Sequence, residues 1–128
     1  MRRLLLDTHA LLWWLMDAPS LGPRARGLIE EGRNEVFVSA ATTWEIAIKM
    51  QLGKIEAPEG LNGVVEEEGF RPLPISLFHG TSAGLLVWDH RDPFDRMLVA
   101  QAQAEGLELV TTDARILGFG IRTVDASK

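Results

Sequence analysis

Short apolar runs alternate along the chain with longer segments in which apolar residues recur every three or four positions. The short runs predict buried strands, because a strand covered on both faces carries apolar residues at consecutive positions. The run at residues 70–75 contains Pro72 and Pro74, which cannot donate to a sheet ladder, so we predict an edge strand there at most. The other strands are predicted at residues 4–6, 35–38, 107–111 and 121–124.

The longer segments predict helices, since this spacing places apolar side chains on one helical face. In the segment 40–52 the buried face is predicted to contain Ala41, Trp44, Ile48 and Leu52, with Glu45 at its border. Helices that alternate with short strands are typical of a parallel sheet covered on both faces, so we predict an α/β fold. The helices are predicted at residues 8–16, 24–31, 40–52, 61–67, 76–85, 93–105 and, as a single turn, 114–117.

The size and composition of the chain agree with one such domain over residues 1–128. The chain has 128 residues, of which 46% are hydrophobic, enough for a substantial core. It has no cysteine, which excludes disulfides and thiolate metal ligands. Asp7 and His9 interrupt the apolar stretch near the amino terminus, and its remainder is too short to cross a bilayer. We therefore expect a cytoplasmic protein without membrane association.

The formal net charge is −5, which argues against binding of nucleic acid through a broad basic surface. The positions of the acids are more informative than their number. Asp7 and Asp113 directly follow predicted strands, and the carboxyl ends of parallel strands meet at one edge of a sheet. The helices with Glu45 and Asp95 are expected to begin at that same edge. We therefore expect these four acids to converge there, with Asp92 as a fifth.

Neighbouring carboxylates raise one another's pKa, and a hard divalent cation removes this conflict. Mg²⁺ and Mn²⁺ prefer oxygen ligands, and such sites activate water and stabilise charge on a phosphoryl group. The convergence therefore predicts hydrolysis of a phosphodiester, in which a carboxylate accepts the proton of the attacking water. His9, His79 and His90 lack the spacing of a zinc site. His90 with Arg91 is interpreted as a solvated loop, with a phosphate contact as the alternative.

Each acid also has an ordinary structural explanation. Asp is a favoured N-cap residue, and Asp92 followed by Pro93 is a common helix start. Asp95 in a first helical turn is stabilised by the helix dipole, and Glu45 forms an i, i+4 pair with Lys49. These explanations account for the acids one at a time, but not for their convergence at one edge.

Four segments of the chain together resemble the PIN-domain ribonucleases, and more closely the VapC-type toxins of bacterial toxin–antitoxin pairs. The resemblance covers nearly the whole chain, and the third segment is the most specific. The segments are LLLDTHALLW at residues 4–13, SAATTWEIAIK at 39–49, HRDPFDRMLVAQA at 90–102 and TTD at 111–113.

The resemblance implies that Asp7, Glu45, Asp95 and Asp113 bind the metal ion and carry catalysis, and that Asp92 is an acid often present beside them. It also implies an endoribonuclease that cuts single-stranded or looped RNA with Mg²⁺, or with Mn²⁺ as a substitute. Such proteins commonly form homodimers and are held inactive by a cognate antitoxin.

Supporting roles are predicted for residues beside the acids. The hydroxyls of Thr8, Ser39 and Thr112 are candidates to orient carboxylates or water, with helix capping as the alternative. Arg96 and Lys49 are candidates to contact the RNA backbone, with solvated ion pairing as the alternative.

An apolar patch for a partner is predicted on two helices. Trp13 and Trp14 are adjacent and face different directions, so one of them is expected to be buried. The other, together with Ile46 and Met50, is a candidate contact for a second copy or an antitoxin helix. A core that extends further round these helices is the alternative.

Two other classes of α/β phosphotransfer protein do not fit these residues. A response-regulator receiver would carry its acceptor Asp after a middle strand, but the middle strand here ends in Val38 and Ser39. A haloacid-dehalogenase phosphatase requires Asp-x-Asp, and position 9 is histidine. Two alternatives stay open: a PIN fold that only binds RNA or a partner, and an RNA-processing PIN nuclease outside toxin–antitoxin systems. A requirement for metal would separate the binding module from the nucleases.

Overall fold

A computed structural model describes all 128 residues, which form five strands and seven helices. The strands lie in one sheet with the order β3-β2-β1-β4-β5, and every neighbouring pair is parallel. The predicted α/β fold with a parallel sheet is confirmed, and the proline-containing strand lies at an edge of the sheet. The strands are β1 Arg3–Leu6, β2 Glu35–Ser39, β3 Arg71–Leu73, β4 Glu108–Thr111 and β5 Thr123–Asp125.

All the predicted helices are present, and their ends differ from the prediction by at most one residue. None of them has the length and apolar character that crossing a membrane requires. The helices are α1 Thr8–Leu15, α2 Pro23–Glu30, α3 Ala40–Gln51, α4 Leu61–Glu67, α5 Leu77–Leu85, α6 Pro93–Glu105 and α7 Ala114–Leu117.

Helices cover both faces of the sheet. Leu4 and Leu6 of β1 belong to one cluster of buried apolar side chains and Leu5 to another, because successive side chains of a strand point to opposite faces. The first cluster includes Leu11 of α1, and the second includes Val99 of α6. All three leucines of β1 are fully buried, so the strand before Asp7 is held rigidly from both sides.

The predicted buried face of α3 is wrong at three of its four positions, because only Ala41 is buried. Trp44 and Leu52 are 59% and 61% exposed, whereas Thr42, Glu45 and Ile46 are buried. The helix packs between α1 and α6, and its inward side faces both of them. The polar residues Thr42 and Glu45 occupy part of that inward side, so the spacing of apolar residues alone predicted the wrong buried positions.

The predicted apolar patch is not formed by the expected residues either. Ile46 is fully buried, and both Trp13 and Trp14 are half-buried against the core, which leaves only Met50 exposed. Several other large apolar side chains are exposed on α5 and just after it. They are Leu77, Phe78, Leu85 and Val87.

At the amino-terminal edge of the sheet, acidic side chains are paired with arginines. Arg2 contacts Glu108 at 2.6 Å, and Glu35 contacts Arg3 at 3.5 Å and Arg71 at 3.2 Å. The hydrogen bonds from Arg2 lower the pKa of Glu108. The negative charge at this edge is therefore balanced within the protein.

Candidate metal site

The central strands deliver two acids to the opposite, carboxyl-terminal edge of the sheet. Asp7 follows β1 and is only 6% exposed, and its amide continues the ladder by donating to the Val110 carbonyl at 3.1 Å. The Asp7 carboxylate also caps α1, because its Oδ1 accepts from the Ala10 amide at 2.8 Å. Asp113 follows β4 and caps α7, with Oδ1 accepting from the Arg115 amide at 2.8 Å. Each of these two carboxylates therefore caps a helix and also lies at the shared edge of the sheet.

Glu45 is brought to this edge by α3 and is 7% exposed. Its Oε1 accepts a short hydrogen bond from the hydroxyl of Thr8, at the start of α1. Its Oε2 accepts from Nζ of Lys49 at 2.7 Å, one helical turn later. The predicted pair of Glu45 and Lys49 is present, and Thr8 links two of the elements that form the site.

Asp95 lies in the first turn of α6. Its Oδ2 contacts Nε2 of His90 at 2.7 Å. Asp92 caps the same helix, because its Oδ1 accepts from the amides of Phe94 at 2.9 Å and Asp95 at 3.1 Å. Asp92 thus has the capping role, and it also faces the other acids.

One cavity of about 220 Å³ gathers these side chains, and no hydrophobic residue lines it. All four predicted acids line it, together with Asp92 and two of the three predicted hydroxyl residues. The lining residues are Asp7, Thr8, His9, Glu45, Lys49, Asp92, Asp95, Thr112 and Asp113.

Ser39 is not brought to this cavity. Its hydroxyl caps α3 by accepting from the Ala41 amide at 3.0 Å. Its side chain lines a separate cavity of about 590 Å³ between α3, α4 and β3. The predicted alternative for Ser39, a helix cap, is what the structure contains.

The cavity carries more negative charge than its cations balance. Burial raises the pKa of Asp95 to about 6, and the carboxylates of Asp92 and Asp113 add to this shift while His90 opposes it. Burial also raises the pKa of Asp7. Lys49 is the only lysine or arginine of the lining, and it is bound to Glu45. An oxygen-rich cavity with uncompensated carboxylates fits a hard divalent cation.

Three residues in or beside the cavity were not predicted as part of the site: His9, which lines it, and His90 and Arg115, which lie next to the acids. His90 was interpreted as part of a solvated loop, but its side chain is only 12% exposed and contacts Asp95. A ring nitrogen of His90, a carboxylate oxygen of Asp95 and a carboxylate oxygen of Asp113 all lie within 4.8 Å of one another. Arg115 contacts Nδ1 of His90 at 2.7 Å. In the sequence, the feature that could have indicated this role of His90 is its position two residues before Asp92, the N-cap of α6.

Arg96 has a different role from the predicted RNA contact. Its guanidinium donates to five backbone carbonyls, two in the last turn of α5 and three in the segment between α5 and α6, at 2.8 to 3.3 Å. This arrangement holds the connection against the first turn of α6. The carbonyls belong to Ala83, Gly84, Leu86, Trp88 and His90.

The fold and the acid-lined cavity agree with the comparison to protein families. The chain belongs to the PIN-domain family, whose model matches residues 4–120. It is also similar to ribonuclease VapC16 of Mycobacterium tuberculosis (strain ATCC 25618 / H37Rv), with 37% identity over 60 residues. That match covers 45% of this chain and 43% of the relative's length.

Solved structures of toxin–antitoxin complexes share the fold over nearly the whole chain. A DNA-bound VapBC from Salmonella typhimurium has a TM-score of 0.69 and 24% identity, and the match covers 98% of both chains. A toxin–antitoxin complex from Klebsiella pneumoniae has a TM-score of 0.67 and 20% identity, covering 95% of this chain and 96% of the other. VapBC2 from Rickettsia felis, bound to a promoter DNA fragment, has a TM-score of 0.64 and 14% identity, with 95% and 97% covered.

Proposed function

We propose that this protein is a Mg²⁺-dependent endoribonuclease that acts as the toxin of a type II toxin–antitoxin pair. The observation that carries the proposal is the cavity in which Asp7, Glu45, Asp95 and Asp113 converge without enough cations to balance them. Membership of the PIN-domain family and the similarity to a VapC ribonuclease support the choice of RNA as substrate.

The proposed ligands of the cation are these four acids, and Mn²⁺ is expected to substitute for Mg²⁺. When bound, the cation would activate water for attack on phosphorus and balance charge on the phosphoryl oxygens. Thr8 and Lys49 orient Glu45 by bonding one carboxylate oxygen each. Asp113 uses Oδ1 for capping and keeps Oδ2 for the cation or for the proton of the attacking water.

Lys49 is also proposed to contact a phosphate oxygen of the RNA, because it lines the cavity while remaining paired with Glu45. Thr112 lines the same cavity and is proposed to orient water or a phosphate oxygen through its hydroxyl. With an overall charge of −5, recognition of RNA would depend on such local contacts and on the shape of the RNA.

An antitoxin partner and a homodimer belong to the same proposal, as does a cytoplasmic location. The similar solved structures are toxin–antitoxin complexes, which supports the antitoxin. The exposed side chains on α5, Leu77 at 93% and Phe78 at 67%, support an apolar interface between two copies. Phe78→Glu is expected to convert a dimer to a monomer by mass in solution, and a monomeric wild type at micromolar concentration would contradict the dimer.

Cleavage of a labelled single-stranded RNA by the purified protein tests the enzymatic proposal. Cleavage is expected with Mg²⁺ or Mn²⁺, and it should be lost in EDTA and in Asp7→Asn. Activity that survives EDTA, or an Asp7→Asn variant that cuts as well as the wild type, would show that the mechanism is wrong. A wild type that binds RNA but never cuts it would favour the alternative of a binding module.

A further inference from the structure

Both ring nitrogens of His90 contact charged side chains, one a carboxylate and the other a guanidinium. Nε2 lies 2.7 Å from Oδ2 of Asp95, and Nδ1 lies 2.7 Å from a guanidinium nitrogen of Arg115. A guanidinium only donates, so Nδ1 must accept, and Nε2 therefore carries the ring proton and donates it to Asp95. The partners of His90 select one neutral tautomer.

The position of the imidazole is fixed from two further directions. The His90 carbonyl accepts from Arg96 at 3.0 Å, which ties the backbone of the connection to α6. The ring packs edge-to-face against Trp88 with centroids 4.8 Å apart, and Trp88 in turn packs on Phe119 at 4.7 Å. The imidazole therefore has little freedom to move away from Asp95.

Arg115 connects two of the acids. Its backbone amide donates to Oδ1 of Asp113, and its side chain donates to His90, which donates to Asp95. The bond from His90 is the only side-chain hydrogen bond of the Asp95 carboxylate, and it occupies Oδ2 alone. The second oxygen, Oδ1, stays free of hydrogen bonds.

We propose that His90 is a positioning residue for the metal site: its Nε2–H orients the Asp95 carboxylate so that Oδ1 serves the cation, and Arg115 holds His90 in the tautomer that does this. The inference rests on the proposed function for the presence of a cation. It assigns His90 no ligand bond, since one nitrogen carries a proton and the other is occupied by Arg115.

A second histidine offers a matched control at the other end of the same helix. His79 lies within hydrogen-bond distance of Glu105 through Nε2 at 2.9 Å and accepts from the Ser76 amide through Nδ1 at 3.0 Å. It has the same pattern of bonds to a carboxylate of α6, but it does not line the acid cavity. Substitution of His79 therefore measures what loss of such a bond does to folding alone.

The test compares Mn²⁺ binding, by calorimetry and electron paramagnetic resonance, among four variants of the whole protein. His90→Ala is expected to weaken Mn²⁺ binding roughly tenfold or more, the usual effect of removing a group that orients a ligand. His90→Gln, which retains an N–H donor at a similar reach, should recover most of the affinity. Arg115→Met should give an intermediate loss, and His79→Ala should bind as the wild type does.

Two spectroscopic measurements separate positioning from direct coordination. Nitrogen-15 spectra of the metal-free protein should place the His90 proton on Nε2 and should show a mixture of tautomers in Arg115→Met. Electron spin-echo spectra of the Mn²⁺ complex should contain no imidazole nitrogen coupling, and such a coupling would overturn the proposal by making His90 a ligand.

The outcomes distinguish this inference from the proposed function. If the wild type binds no Mn²⁺, the proposed function fails and the metal role of His90 fails with it. If the wild type binds Mn²⁺ and cuts RNA while a folded His90→Ala binds Mn²⁺ equally well, the proposed function stands and the positioning role is wrong. If His90→Ala does not fold, His90→Gln and Arg115→Met decide the question through the same measurements.

Discussion

The two edges of the sheet treat acidic side chains in opposite ways. At the amino-terminal edge, Glu108 is paired with Arg2, and its pKa is lowered by that hydrogen bond. At the carboxyl-terminal edge, burial raises the pKa of Asp7 and Asp95, and no arginine contacts either carboxylate. The same sheet thus carries balanced acids at one edge and unbalanced acids at the other.

The difference identifies the functional edge more reliably than the number of acids does. A carboxylate whose pKa is lowered by its partner stabilises the folded state at neutral pH. A carboxylate whose pKa is raised by burial destabilises it, because the folded state disfavours the charged form. Acids that reduce stability at neutral pH agree with the proposed binding of a divalent cation at this edge.

The largest expected effect is on RNA cleavage. Asp95→Asn is expected to lower the cleavage rate at least about a hundredfold. A bound cation stabilises the transition state by several kcal/mol, and each 1.4 kcal/mol of activation free energy changes the rate about tenfold. Glu108→Gln, the matched change at the other edge, should leave the rate unchanged. Equal losses of cleavage rate in the two variants, measured under single-turnover conditions, would show that the two edges of the sheet do not differ in their role in cleavage.

A smaller loss is expected when only the orientation of Glu45 changes. Thr8→Val keeps the shape of the side chain but removes the hydroxyl that donates to Oε1 of Glu45. Mg²⁺ affinity, read from the metal dependence of cleavage, should fall about tenfold. Thr43→Val is the control, because the Thr43 hydroxyl bonds only the Ala40 carbonyl. A Thr8→Val variant with wild-type metal dependence would show that this hydrogen bond does not affect metal binding.

Stability of the metal-free protein should respond to pH with opposite signs at the two edges. The pKa of Asp95 is about 6 when folded, against 3.8 as the ordinary value, so the folded state binds more protons in that interval. The Asp95 contribution to the free energy of unfolding therefore falls as pH rises from 3.8 to about 6. Glu108, whose pKa is lowered, contributes stability above its ordinary pKa and loses it as pH falls.

Thermal unfolding in EDTA measures the sign of the Asp95 contribution. Asp95→Asn should unfold a few degrees higher than the wild type at pH 8 and should lose the difference at pH 4. Adding Mg²⁺ should stabilise the wild type and reverse the order, because ligands that bind only the folded state stabilise it. A metal-free Asp95→Asn that is less stable than the wild type at pH 8 would contradict the claim that burial of the charged Asp95 carboxylate destabilises the folded state.

The smallest effect is expected at the balanced edge itself. The side chains of Arg2 and Glu108 are 36% and 16% exposed, so solvent screens part of their attraction. Glu108→Gln is therefore expected to cost less than about 1 kcal/mol of unfolding free energy in chemical denaturation at pH 7. A cost of several kcal/mol would show that this pair is a major determinant of stability.

Some features of the site followed from local rules and were therefore predictable. The consecutive leucines before Asp7 indicated a buried strand, and Asp92 followed by Pro93 indicated the start of α6. Since all neighbouring strands are parallel, the acids that follow β1 and β4 meet at one edge. Periodicity and capping depend on residues close in the chain, which is why these predictions succeeded.

The sequence by itself determined the elements, their order and the edge at which the acids gather. The tertiary structure decided which side of α3 is buried, that Ile46 lies inward and Trp44 outward, and that Ser39 caps a helix away from the acid cavity. It also decided that Arg115, 25 residues away in the chain, contacts the imidazole of His90. These choices depend on neighbours supplied by other elements, and no local pattern in the chain records which elements those are.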